Sequence, residues 1–300
     1  MEYNNSMLIK YISIIFSFFF LSCATLNAQI YKSDGVTQVE LNDILSEVTA
    51  GTVLVVGEMH GKSQVRDQHL GILSALRAQG ARVSVGMEFF NYTDQIDVQN
   101  YRLGQLTEDD FKKQIKWSGF DFSLYKSQLL FPDARLGEYG LGLNMPRSIT
   151  QIISKQGLSG LTPEQAQLMP PDFTVGRDLY RKRFYDLMSD GHIPFDKLEN
   201  YFIAQSTWDD TMAWQTVHFM KHHPDHVFVI FVGEFHVQYG GGLPHRIQER
   251  LVKENLNHKI KIKTISQIWT ENLTQEELRG ELIPSEEYGS RADFIFLVNP

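Results

Sequence analysis

Short apolar runs rich in β-branched residues recur along the chain at 52–57 (TVLVVG), 83–88 (VSVGME), 139–144, 227–233 (VFVIFVG), 260–265 and 294–298. These are the predicted strands. TVLVVG and VFVIFVG are apolar at every position, which is how a central strand of a parallel sheet reads when helices cover both of its faces. Between the runs the period changes. Val65, His69, Ile72, Leu73 and Leu76 fall at helical spacing and stop at Gly80. Thr107 followed by Glu108, Asp109 and Asp110 opens a second helix with a cap and a first turn of acids. Thr162-Pro163-Glu164 opens another, with proline at the first helical position. Residues 176–220 read as two helices broken near 191–194, and 244–252 as a further one.

Strands alternating with helices predict an α/β fold with a mostly parallel central sheet flanked by helices. Two stretches, about 91–117 and 157–222, are too long for simple crossovers. They are expected as helical excursions forming a cap over one edge of the sheet. No internal repeat and no low-complexity segment interrupts this single domain, expected over 51–300, with 29–50 as a linker and lead-in.

The start of the chain follows a different rule. Lys10 precedes an apolar run over 11–21, the length of a signal-peptide core and too short to span a bilayer. Residues 1–28 are therefore expected to be a signal peptide, with Met7 a plausible alternative start. Cys23, the chain's single cysteine, follows Ser22 where that run ends and resembles a bacterial lipobox, in which the thiol is lipidated. The other reading is an ordinary signal cut after Ala28. The chain is thus expected to be exported, either as an outer-membrane or cell-envelope lipoprotein held by its lipid or as a periplasmic protein. No pair of thiols is available to staple it.

Composition adds one exclusion. The formal charge of −8 and a pI near 5.7, with no dense run of Lys and Arg, argue against a nucleic-acid partner.

The candidate chemistry sits behind the predicted strands. Gly57-Glu58-Met59-His60 follows the first, Gly233-Glu234-Phe235-His236 follows the fourth, and Glu88 closes the second. In open α/β sheets ligands bind beyond the carboxyl ends of the strands. Residues i and i+2 of an extended chain share a side, so each Glu is expected to face one cavity with its His. Carboxylates and imidazoles together suit a divalent metal such as Zn, Mn or Fe, and crowded carboxylates suit acid–base work. A polar residue after a strand is often only the cap of the next helix, but two matching motifs and Glu88 together point to a site. No Gly-x-Ser-x-Gly elbow occurs, so a serine nucleophile is not favoured.

These motifs carry a family resemblance. VVGEMHG, VGMEFF, the 205–213 helix and VGEFHVQYGGGLPHRI, with landmarks at 120–125 and 143–146, occur in the order seen in ChaN-like proteins. The resemblance runs from about Val53 to Leu251, and the family looks like a branch of a superfamily that includes the Tiki metalloproteases and erythromycin-esterase-like proteins. It implies an iron-uptake-associated haem-binding lipoprotein that takes haem or iron from a source and passes it to envelope haem-transport components. The superfamily's metalloprotease side implies a metal held by Glu58, His60, Glu88, Glu234 and His236, with Glu58 or Glu234 as the base of a metal-dependent hydrolase.

For haem, the ligand candidates are Tyr239, ahead of a glycine run, and His236, His60, Tyr125 and Tyr92, because iron in haem is held by His or Tyr. Arg246, with His245 at a helix start, is a candidate partner for a propionate. Phe89, Phe90 and Phe235 are candidate porphyrin contacts. His69 reads as a core residue, and His222, His223 and His226 as a polar loop. The helix carrying Asp209, Asp210 and Met212 either lines the pocket or merely packs on the sheet.

Overall fold

The computed structural model describes residues 29–188 and 193–300; the signal-peptide and lipobox expectations, Cys23 included, lie outside them. Eight strands form one sheet: β1 (Ile30–Lys32), β2 (Gln38–Val39), β3 (Thr52–Glu58), β4 (Val83–Asn91), β5 (Gly140–Asn144), β6 (Val227–Gly233), β7 (Lys261–Trp269) and β8 (Phe294–Val298). Their order is β2-β1-β8-β7-β3-β6-β4-β5. The six strands from β8 to β5 run parallel, and β1 and β2 add an antiparallel hairpin at one edge.

The two all-apolar runs are the centre of this sheet. β3 and β6 pair with each other and are buried at every residue. Strand alternation divides their side chains between two faces. Leu54, Val56, Val229 and Phe231 pack under the helices Leu41–Ser46, Ser63–Ala78 and Ser123–Leu130. Val53, Val55, Phe228, Ile230 and Val232 pack under Leu198–His222 and Leu243–Lys253.

Three expectations are corrected. Residues 29–50 are not a linker: Ile30 pairs with Phe296, and Ile44, Leu45 and Val48 are buried in the core. The two excursions do not gather at one edge. Val98, Tyr101 and Phe111 of the first join the core on one face, while Met212, Ala213 and Val217 of the second cover the other. The strand expected at 260–265 runs on to Trp269, because Ser266 and Gln267 are buried there among polar partners that a hydropathy pattern does not show.

Candidate functional site

The parallel pairing sets the two Gly-Glu-x-His motifs side by side, with Gly57 opposite Val232 and Glu58 opposite Gly233. Glu88 flanks them from β4. Each motif glycine makes room for the other motif. A Cβ on Gly57 would overlap the Glu234 carboxylate, and one on Gly233 would stand 2.9 Å from His60 Nε2 and 3.4 Å from Glu88 Oε2.

The side chains then diverge. On the β3 side the strand ends at Glu58 and a turn follows at His60, and the i, i+2 pair meets as expected: His60 Nδ1 lies 2.8 Å from Glu58 Oε1. Glu58 is buried, and its second oxygen lies 3.6 Å from His69 Nδ1. Burial pushes the Glu58 carboxyl up more than the His60 hydrogen bond pulls it down. For His60 burial opposes the charged ring, but Glu58 and Glu88 outweigh it and raise its pKa. His60 is 32% exposed and has no hydrogen-bond partner at Nε2 among the described residues. Phe89 and Phe120 stand 5.1 and 5.3 Å from its ring.

On the β6 side Glu234–His236 is a 3-10 turn, not an extended strand. Three residues per turn throw i and i+2 to different sides. Glu234 swings toward β7, where it accepts from the Ser266 hydroxyl, from the Gln267 amide at 3.2 Å and from Arg291 Nε at 3.3 Å. Burial nonetheless pushes its pKa up. His236 turns inward. Its Nδ1 lies 2.6 Å from Asp209 Oδ1 and its Nε2 3.4 Å from Glu88 Oε1. The Gln205 amide stands 3.1 Å from Nδ1, and the Tyr180 hydroxyl donates to Asp209 at 2.9 Å. Burial works against the charged ring, yet Asp209 and Glu88 carry its pKa up to about 10. Burial would raise Glu88, but His236, His60 and the Gly233 amide, donating at 2.6 Å, hold it at about 2. His236 is therefore a buried imidazolium between two carboxylates.

Among the described residues no group of three His, Cys, Asp or Glu side chains is arranged to hold a metal ion. The five expected ligands fall into three ion-paired sets: Glu58 with His60, Glu234 with Arg291, and Glu88 with His236 and Asp209.

Beside the motifs opens a cavity of about 880 Å³, lined by His60, Glu58, Met59, His236, Gln205 and Tyr239, with apolar walls from Leu187, Phe235, Ile268, Trp269 and Tyr288. Tyr239 adopts a left-handed conformation, φ 59°, unusual for a residue with a side chain. Its N–H donates to Arg291 O at 2.7 Å and its carbonyl accepts from Arg177 at 2.9 Å, which fixes the turn. Its hydroxyl has no hydrogen-bond partner among the described residues.

Other candidates lie elsewhere. Tyr125 is buried among Phe89, Trp117 and Phe120, and its hydroxyl accepts from the Gly61 amide at 3.1 Å, off the cavity wall. Arg246 is buried against Asp210 at 3.1 Å, in a cluster with Arg250. Tyr92 donates to Leu168 O at 2.8 Å. His69 is a core residue, stacked 4.0 Å from Phe231 and bonded to Gln267, with burial holding its pKa down at about 3. The helix Leu198–His222 does line the site, through Gln205 and Asp209. Sequence reasoning gave no role to Tyr180, Arg183, Gln205 or Arg291; the first three have helical spacing that matches ordinary packing, Arg291 lies in a bend before β8, and their partners are remote in the chain.

A parallel α/β domain with a Glu/His-bearing cavity at the carboxyl ends of its strands is the class of protein these features define. The family model described as haem-binding uptake, Tiki superfamily, ChaN matches residues 44–247, and the chain belongs to that family. Its fold is similar to that of ChaN of Campylobacter jejuni, solved with cofacial haem, at 17% identity and a TM-score of 0.61 over 90% of this chain and 96% of that one. A weaker likeness, TM-score 0.43 at 13% identity, joins it to an erythromycin esterase in its open conformation, covering 91% of this chain and 83% of that one. No curated protein matches the sequence.

Proposed function

We propose that the chain binds haem in the 880 Å³ cavity, with Tyr239 and His60 as the iron ligands available to it. The observation that carries this reading is that one cavity is lined by both ligand types, each held by hydrogen bonds from behind. The carboxylate of Glu58 holds His60 at Nδ1 and leaves Nε2 as the coordinating atom, the arrangement found behind most metal-bound histidines. Two backbone hydrogen bonds hold Tyr239 in its left-handed turn. The volume suits a large flat ligand, and the aromatic and aliphatic walls suit a porphyrin face. Bound haem would supply an iron centre whose character the axial ligand and the wall polarity set. The ChaN of Campylobacter jejuni, of the same fold and family, binds haem cofacially.

His236 is not read as a ligand, since both of its nitrogens face carboxylates. Tyr125 and Arg246 are not read as ligands because they lie off the cavity. The test is a haemin titration of the purified chain. Saturable binding that Tyr239→Phe or His60→Ala weakens supports the reading; binding unaffected by both moves the iron elsewhere.

The setting follows as part of the same proposal. The chain works at the cell envelope, lipidated at Cys23 or released after Ala28, and passes haem from an external source to transport components. The support is the apolar run over 11–21 and the cysteine behind it. Metabolic labelling with a radioactive fatty acid checks this, with the label expected to disappear in Cys23→Ala.

A further inference from the structure

Arg183 stands on the wall of the cavity, and no carboxylate among the described residues lies within ion-pair distance of it, although Glu234 acts on its charge from further away. Arg183 belongs to the helix Asp178–Met188 and is only 7% exposed. Its guanidinium lies 4.5 Å from the Phe235 ring centroid and 4.9 Å from that of Tyr239. Its hydrogen bonds go to neutral acceptors, Phe235 O at 3.4 Å and the side-chain oxygen of Gln238. Arg177, which donates to Tyr239 O, also has no ion-paired carboxylate among the described residues but is not among the residues lining this cavity; the two other neighbouring cations differ. Arg291 pairs with Glu234 and Glu281, and Lys182 with Asp186 and Glu287.

A buried charge is costly unless something ionic meets it. A guanidinium has five N–H donors, and two hydrogen bonds leave part of that capacity unused. With its face against aromatic rings, its edge is the part that can meet an anion, and the planar fork matches a carboxylate in a two-point contact.

We propose that Arg183 anchors a carboxylate of the ligand, so that the cavity selects flat apolar acids over their uncharged esters. This rests on the haem reading and deepens it, because haem carries two propionates on an otherwise apolar disc. It also replaces Arg246, the residue the sequence suggested for that role.

The test uses two fluorescent probes with the purified full-length chain: 1-pyrenebutyrate and its methyl ester. The wild type is expected to bind the acid about ten- to a hundredfold tighter than the ester, the range for one charged hydrogen-bonded contact. Arg183→Gln is expected to bind both alike, while Arg183→Lys, which keeps the charge without the fork, retains part of the preference. A merely structural role would weaken both probes equally. Should Arg183→Gln fail to melt cooperatively, Arg183→Lys carries the test. Equal affinities in the wild type, no binding of the acid, or a preference unchanged in the variants overturns the proposal. Haemin titrated in parallel separates the two readings. An Arg183-dependent preference without haemin binding removes haem alone; haemin binding without such a preference removes the carboxylate anchor alone.

Discussion

The two Gly-Glu-x-His motifs have nearly the same sequence and lie on neighbouring strands, yet they do different things. The one after β3 ends in a partly exposed His60, backed by its own Glu58 and facing the cavity. The one after β6 ends in a buried His236, and its Glu234 faces away toward Arg291. The difference is one of backbone. Glu58 is the last residue of a strand and its His60 comes back against it, whereas the 3-10 turn Glu234–His236 separates i and i+2. A shared tetrapeptide thus specifies shared room, through Gly57 and Gly233, without specifying a shared role.

The largest expected effect lies on the β6 side. Asp209→Asn removes a carboxylate from a buried imidazolium and is expected to cost about 3–5 kcal/mol, read by denaturant unfolding. Glu58→Gln, beside the partly exposed His60, is expected to cost clearly less. Equal losses would erase the distinction between a structural and a ligand-facing histidine. Next, Gly57→Ala is expected to destabilise by about 1–3 kcal/mol, and Gly233→Ala by less. Glu234 is held by three partners and is buried, while His60 is held by Glu58 alone and is partly exposed, so it yields to a new Cβ more readily. Thermal melts give the order, and Gly233→Ala should weaken haemin binding despite its smaller loss of stability.

The pH dependence divides in the same way. His236 sits near 10 when folded against 6.5 ordinarily, so its contribution is complete below about pH 6.5 and is lost as pH rises toward 10. Glu88, lowered to about 2 from 4.5, contributes fully above about pH 4.5 and loses that contribution as pH falls toward 2. These two groups by themselves give no slope between about 4.5 and 6.5 and a decline on both sides, while the raised carboxyls of Glu58 and Glu234 add a decline as pH rises above about 4.5. In Asp209→Asn the alkaline decline should still begin near pH 6.5 but end at a lower pH and be smaller in total; an unchanged alkaline limb would contradict the ion pair. The smallest effect is expected for Tyr125→Phe, about 1 kcal/mol for one hydrogen bond, with haemin binding unaltered because the hydroxyl faces Gly61 and Glu58.

What was legible in the sequence follows from the range of each interaction. TVLVVG and VFVIFVG announce the central strands because burial on both faces is a local pattern, and the family landmarks lie on those strands and the turns behind them. The hairpin of Ile30–Lys32 and Gln38–Val39 was not legible, since its two- and three-residue strands are tied to the sheet through the pairing of β1 with β8, more than 250 residues away. Glu58, His60, Glu88 and His236 were brought together as expected from strand ends. Glu234 was not, because its direction depends on Arg291 and Ser266. Arg183 shares DLYRKRFYDLM with Arg181 and Lys182, and only the fold shows which of the three cations faces Phe235 and Tyr239.

The most direct measurement is the Soret absorption of the purified chain during a haemin titration, in wild type and in Tyr239→Phe, His60→Ala and His236→Gln. The account predicts a saturable shift that the first two variants weaken or alter spectrally. His236→Gln should lower stability and, in the folded fraction, leave the spectrum of the complex unchanged. A complex whose spectrum depends on His236 alone, or no saturable shift at all, would contradict it.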